Sequence, residues 1–141
     1  NHYKKLEELI WIYDQDMPIP EGIKHTRGSF EQFMKYSLNF EENTYGTEMI
    51  AVFNGRYIGS TDINVYPIEP HKGWTGGLGV LKEFRRRGIA TALKIKAIEQ
   101  LLEKKVTEIR TDNEENNPMY KINVALGFKP VPYSLDYSKK I

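Results

Sequence analysis

The residues best suited to chemistry fall in one stretch, Trp74–Lys96. Arg85, Arg86 and Arg87 precede Gly88, and apolar residues at helical spacing begin at Ile89. A helix that opens at Gly88 leaves its first backbone N–H groups without intrahelical partners, and its dipole favours negative charge there. A glycine and three arginines at such a start suit a phosphate or pyrophosphate. The run before it, Trp74–Leu81, carries Gly76, Gly77 and Gly79. Glycines weaken a strand on propensity and mark a bulge or a place where a ligand approaches the backbone. The stretch therefore reads as a strand and turn that hold the pyrophosphate of a nucleotide-like cofactor. A solvated arginine turn, a small RNA-binding patch and a merely bulged edge strand are the competing readings.

The elements that must position this stretch follow from hydrophobic spacing. Leu6, Leu9, Ile10 and Tyr13 mark a first helix that ends near Asp14. Pro18, Pro20 and Gly22 then impose an irregular loop. Ser29-Phe30-Glu31-Gln32 is a capping-box pattern and predicts a short helix from Phe30 to about Leu38. Polar residues over Glu41–Gly46 predict a loop. Met49–Phe53 and Arg56–Val65 flank Asn54-Gly55, a strong signal for a two-residue hairpin turn.

The long helix after the arginines buries Ile89, Ala92, Leu93, Ala97, Leu101 and Leu102, with Ile95 and Ile98 widening the stripe. Lys94, Lys96, Glu99, Glu103, Lys104 and Lys105 are expected on its solvated face. Val106–Thr111 alternates weakly as a strand. Asn116-Asn117-Pro118 opens a last helix that Gly127 closes. Phe128–Val131 and Tyr133–Tyr137 are the final strand candidates. The order α-α-β-β-β-α-β-α-β is that of a mixed α/β domain with helices on both sheet faces.

At 141 residues the chain has room for one domain with a proper core. With 20 basic and 19 acidic residues the net charge is +1, which argues against a general nucleic-acid or membrane-surface binder. No aromatic stacking motif accompanies the arginines, which also counts against RNA. There is no cysteine, so disulfides, Cys-ligated zinc and a cysteine nucleophile are excluded. No metal-ligand set is read elsewhere. A reducing, cytoplasmic home fits this composition and is the expectation, with no membrane span and a monomer or homodimer as the assembly.

The blocks Val80–Thr91 and Asn116–Phe128 resemble the GCN5-related N-acetyltransferase (GNAT) family. The family's Arg/Gln-x-x-Gly-x-Gly/Ala turn is matched by Arg85-Arg86-Arg87-Gly88-Ile89-Ala90. Its asparagine eleven residues before a Gly-Phe pair is matched by Asn116 before Gly127-Phe128. The resemblance covers Glu48–Lys139, about two thirds of the chain. It implies a mostly antiparallel mixed sheet, splayed at the cofactor site, in a three-layer single domain over residues 1–141. The family begins with a strand before its first helix, and none precedes His2, so the chain is expected to lack that strand or to be cut from a longer one.

The resemblance also implies acetyl-CoA as the acyl donor. The backbone of Leu78, Gly79 and Val80 would lie along the acetyl-pantetheine arm. The turn of Arg85, Arg86, Arg87, Gly88, Ile89 and Ala90, with Thr91, would ring the pyrophosphate, and Asn116 would contact the arm. Chemistry would be direct attack of an amine on the thioester, with the oxyanion held by a backbone N–H and the sulfur leaving as thiolate.

Many members protonate that thiolate with a tyrosine four residues before the glycine of Gly-Phe, and this chain departs there, with Asn123. Tyr120 lies one turn earlier, and Asn116, Tyr120 and Asn123 fall at i, i+4 and i+7, so they can share a face. Tyr120 and Asn123 are the candidate catalytic residues. Thr111 stands where some members carry a glutamate base, which leaves Glu48, Asp62, Asp112 and Glu114 as candidates by location. His25 and His71 read as surface residues.

The acceptor pocket would be lined by Trp11–Phe30 and Pro130–Tyr137, and Asp14, Asp16 and Glu21 suit a cationic amine. Two functions are expected: an acetyl-CoA-dependent N-acetyltransferase on a small-molecule, amino-acid or peptide amine, or a non-catalytic acyl-CoA-binding domain that kept the cofactor turn.

Overall fold

The turn at Asn54-Gly55 sets the register of the central hairpin. Both residues take positive φ, 48° and 75°, which is the backbone a two-residue turn between right-twisted strands requires. The flanking residues Phe53 and Arg56 pair, and from there β1 (Tyr45–Phe53) runs antiparallel to β2 (Arg56–Val65). The computed structural model describes residues 1–19, 21–35, 45–113, 117–131 and 139. Within these, β3 (Lys72–Val80) adds antiparallel to β2, and β4 (Glu108–Arg110) adds parallel to β3. The sheet order is β1-β2-β3-β4.

Two long helices cover the sheet. Helix α1 (His2–Asp14) buries Leu6, Leu9 and Tyr13 against Ile58 and Leu81. Helix α3 (Ile89–Glu103) buries Ala97 and Leu101 against Ile63, Val65 and Val106. Ser60, whose hydroxyl meets Tyr13 of α1, and Ile63 have opposite parity along β2, so the two clusters lie on opposite faces of the sheet. The result is the expected three-layer mixed α/β fold. After α1 comes the short α2 (Phe30–Phe33), where Ser29 and Gln32 form the capping box in both directions. The last helix, α4 (Met119–Ala125), starts beside an Asn117 side chain that accepts the Met119 N–H at 2.9 Å. It ends at Gly127, with φ of 88°.

Several expected boundaries are corrected. Tyr45 and Gly46 belong to β1, although the polar run through Gly46 reads as loop. A Cβ on Gly46 would lie 2.1 Å from the Ile63 carbonyl oxygen, so glycine is required by close approach of β2 and not by a turn. The last short strand shrinks to Glu108–Arg110, and β3 begins at Lys72, two residues before Trp74. Phe128–Val131 is not a strand; Pro130 withholds an N–H from any ladder. The α-helical part of α2 ends at Phe33, and the expected extension to Leu38 falls partly outside the described residues, as does the Tyr133–Tyr137 strand candidate.

Leu101 is fully buried under Ile63 and Val65. Leu101→Ala should lower unfolding free energy by about 2–5 kcal/mol in a urea titration, through lost transfer energy and the cavity left behind.

Candidate functional site

Strand β3 is bent by a bulge at its glycines. Thr61 pairs with Leu78 and Ile63 with Thr75, so Asp62 alone faces Gly76 and Gly77. The Asp62 carboxylate fills the space that a Gly76 side chain would need; a Cβ there would sit 1.9 Å from Oδ2. Gly77 N–H donates to Asp62 Oδ1 at 2.7 Å, and Asn64 Nδ2 donates to Oδ2 at 3.0 Å. Two residues on, Gly79 lies flat against Tyr13 of α1, whose ring would be 2.2 Å from a Cβ on that glycine. The Tyr13 hydroxyl is 3.1 Å from Ser60 Oγ. Burial raises the Tyr13 phenol well above its ordinary value, so it stays protonated.

Of the carboxylates around this bulge Asp62 and Asp14 are half-buried and Glu48 is exposed. Burial raises Asp62, outweighing the hydrogen bonds from Gly77 and Asn64. Burial also raises Glu48, its cross-strand partner, with Asp62 adding to the rise and His2 opposing it. Asp14, at the end of α1, is raised by burial against a lowering by His25. The three place negative charge on the α1 side of the sheet.

Beyond the bulge, β3 leaves its neighbour. It pairs with β4 only over Lys72, Gly73 and Trp74. The last link is Thr75 Oγ1 to Thr111 Oγ1 at 2.7 Å. From Gly76 to Val80 the edge of β3 that faces away from β2 carries no strand among the described residues. An open edge of this kind can take an extended ligand as a further strand.

That edge leads into the arginine turn. Arg86 and Gly88 take positive φ, 59° and 78°. Alternation of this sort turns backbone N–H groups toward one side and suits an anion. No side chain caps α3, no acidic residue sits in its first turn, and its first ladder bond is Ala92 N–H to Gly88 O at 3.0 Å. A Cβ on Gly88 would meet nothing within 4 Å, so the glycine serves its φ and leaves the turn open.

Arg86 and Arg87 are exposed and form no ion pair among the described residues; Arg87 lies over the Phe84 ring at 5.6 Å. Arg85 differs. Its Nε donates to Val80 O at 2.7 Å and its guanidinium pairs with Asp16 at 2.8 Å, so it ties the end of β3 to the loop after α1. These residues fit a pyrophosphate: unpaired N–H groups, two free cations and no competing carboxylate in the first turn.

Residues 6–128 match the family model described as the Acetyltransferase (GNAT) family. The chain belongs to the GNAT acetyltransferase family. Solved structures of the same fold agree. A protein of Pyrococcus furiosus provisionally named an acetyl transferase aligns with TM-score 0.71 and 19% identity over 98% of this chain and 93% of its own. An aminoglycoside N-acetyltransferase in complex with CoA aligns with TM-score 0.70 and 20% identity over 99% and 90%. A predicted acetyltransferase of Clostridium acetobutylicum, solved with acetyl-CoA, aligns with TM-score 0.69 and 19% identity over 96% and 91%. Among curated proteins none matches the chain.

In this GNAT domain the two candidate catalytic residues sit in different surroundings. Tyr120 is 46% exposed and its hydroxyl has no hydrogen-bond partner among the described residues. Asn123 is 3% exposed; its Oδ1 accepts from Lys94 Nζ and its Nδ2 donates to Asn113. Asn116 lies outside the described residues.

The expected solvation of Lys94 is corrected: it is 3% exposed, between α3 and α4, while Ile95 beside it is 38% exposed. The stripe along α3 is therefore rotated from the one the apolar residues suggest. A single helix's periodicity does not reveal that a second helix packs over its flank. No helix among the described residues is long and apolar enough to cross a membrane.

Two outcomes follow from this arrangement. Arg85→Ala should lower stability by about 1–2 kcal/mol, since it removes a charged bond to Val80 O as well as a weak exposed pair. Arg87→Ala should change stability by less than about 0.5 kcal/mol, as surface substitutions do; urea titrations of both variants check this. Asp62 gives a pH dependence. An acid raised by folding loses stability as pH climbs from its unfolded toward its folded value, because the unfolded chain releases the proton first. Asp62→Asn keeps an acceptor for the Gly77 N–H and removes the charge. Its stability relative to wild type should therefore improve as pH rises through and above the ordinary carboxylate range, measured by denaturation at several pH values.

Proposed function

We propose that the chain is an acetyl-CoA-dependent N-acetyltransferase that transfers an acetyl group to a primary amine of a small molecule. The observation that carries the reading is continuity. The open edge of β3, Gly76–Val80, runs through Arg86 and Arg87 into the uncapped start of α3. A donor with an extended amide-bearing arm and a pyrophosphate at its end matches that sequence of features. Leu78, Gly79 and Val80 would pair with the arm, and the N–H groups from Arg86 to Ala90, with Thr91, would hold the pyrophosphate. Arg85 would act by fixing Val80 O and so the direction of the strand, and Asn116 would contact the arm.

The acceptor reading rests on charge. Asp14, Glu48 and Asp62 stand on the α1 side of the bulge without an ion-pair partner among the described residues. A cationic amine brought there would find carboxylates to bind it and to take its proton before attack. That one similar structure is named an aminoglycoside N-acetyltransferase is in keeping with a polycationic acceptor. The amine nitrogen would then attack the thioester carbonyl, with a backbone N–H of the β3 edge facing the oxyanion. The non-catalytic alternative is favoured by one observation: Asn123, where many members carry an acid, is engaged inside the protein.

Calorimetric titration with acetyl-CoA, followed by thiol release with a panel of amines, separates the two. Turnover on any amine supports the enzyme, and binding without turnover on all of them supports the alternative. Arg87→Glu should weaken acetyl-CoA binding about tenfold or more, by reversing a charge beside the phosphates. Asn123→Ala should leave that affinity nearly unchanged while lowering stability by about 1–3 kcal/mol, because Lys94 and Asn113 lose a buried partner. An unchanged affinity in Arg87→Glu would show that the turn is not the pyrophosphate site.

A further inference from the structure

Among the described residues Lys94 is the single charged side chain in the buried class. Its ammonium has three N–H donors. Asn123 Oδ1 accepts one, and the Phe128 ring lies with its centroid 4.8 Å from Nζ. No carboxylate among the described residues pairs with it, and no charged group contributes to its titration; burial alone lowers it to about 8. An ammonium held out of water with no counter-charge is unfavourable unless an anion completes it at some stage.

The position of Lys94 says which anion. The turn of α3 that carries it lies beneath the end of β3: a Cβ on Gly59 would be 3.3 Å from Leu93 Cδ1 and 3.1 Å from Val80 Cγ2, so these side chains are neighbours. On the other side, Asn123 is held by Asn113, two residues beyond Thr111, whose hydroxyl marks where β3 and β4 part. The ammonium thus stands between α3 and α4, on a helix turn whose Leu93 neighbours the Val80 end of β3. We infer that Lys94 is the group that receives the departing thiolate and gives it a proton. This rests on the acetyl-transfer reading above and adds to it a proton donor that neither Tyr120 nor Asn123 supplies.

The step balances. The acceptor nitrogen bonds to the acyl carbon, the carbon–sulfur bond breaks with its electron pair on sulfur, and Lys94 Nζ passes one proton to that sulfur. Lys94 is left as the neutral amine and regains a proton from water, while the acceptor nitrogen sheds its own to solvent. A lysine lowered by burial is a better acid than an exposed one and is readily left neutral, which suits both halves of the cycle.

The test needs no acceptor. Free CoA is titrated into wild type and Lys94→Met, with binding read by calorimetry and thiolate formation by ultraviolet absorbance across a pH series. In wild type the bound thiol should ionise at a pH lower than that of free CoA by about one unit or more, as a thiolate does beside a cation. Lys94→Met should lose that shift and change CoA binding by less than about threefold at a pH where the thiol is protonated, since an apolar chain of similar length replaces a buried charge. A bound thiol that ionises as in free CoA, or the same shift in both proteins, overturns the assignment of Lys94 and leaves the acetyltransferase reading standing. Failure of wild type to bind CoA at all overturns both. If Lys94→Met does not fold, Lys94→Gln takes its place in the same titration, and a wild-type thiol that ionises as in free CoA overturns the assignment without any variant.

Discussion

The structure depends on one close approach, that of β3 to its neighbours on the α1 side. Asp62 occupies the place of a Gly76 side chain and binds the Gly77 N–H, and the Tyr13 ring occupies the place of a Gly79 side chain. Side chains at those positions would push β3 away from β2 or α1 away from the sheet. With glycine there, the strand bulges, twists and leaves β4 after Trp74. The open edge that follows is thus a product of packing on the opposite side of the strand.

The same geometry sets the charge of the site. Asp62 loses water because it fills the space beneath a glycine strand, and Glu48, its more exposed cross-strand neighbour, is raised in part by the Asp62 charge. The carboxylates gather on one side of β3. At its far end stand the uncapped start of α3 and two unpaired arginines. Under the proposed function the basic end would take the anionic part of the donor and the acidic part the amine acceptor. Arg85 belongs to neither set, since its bonds to Val80 and Asp16 make it a strut between the strand end and the first loop.

Much of the fold was legible because its signals are local. Asn54-Gly55 can adopt the turn's positive φ with little strain, and Ser29 with Gln32 can close a helix start within four residues. The glycines of β3 announced a bulge, and Gly88 announced an uncapped helix start. The candidate site was legible where it is made of backbone. Where it is made of side chains from distant elements it was not: Tyr13 beneath Gly79 joins residues 66 positions apart, and no spacing rule connects them.

What the sequence determined by itself is therefore the set of turns, caps and periodic faces, together with the motifs that mark the family. Each depends on conformational preferences within a few residues. Tertiary structure alone decided which polar residues lost water. Lys94 reads as solvated on an isolated helix and is buried once α4 and Phe128 lie over it; Ile95, beside it, faces out. Gly46 reads as loop and lies in β1, where the Ile63 carbonyl leaves no room for a side chain. Asn123 stands where many family members carry the acid, and here it holds a buried ammonium. Desolvation depends on everything packed around a group, and that information is spread over the whole chain.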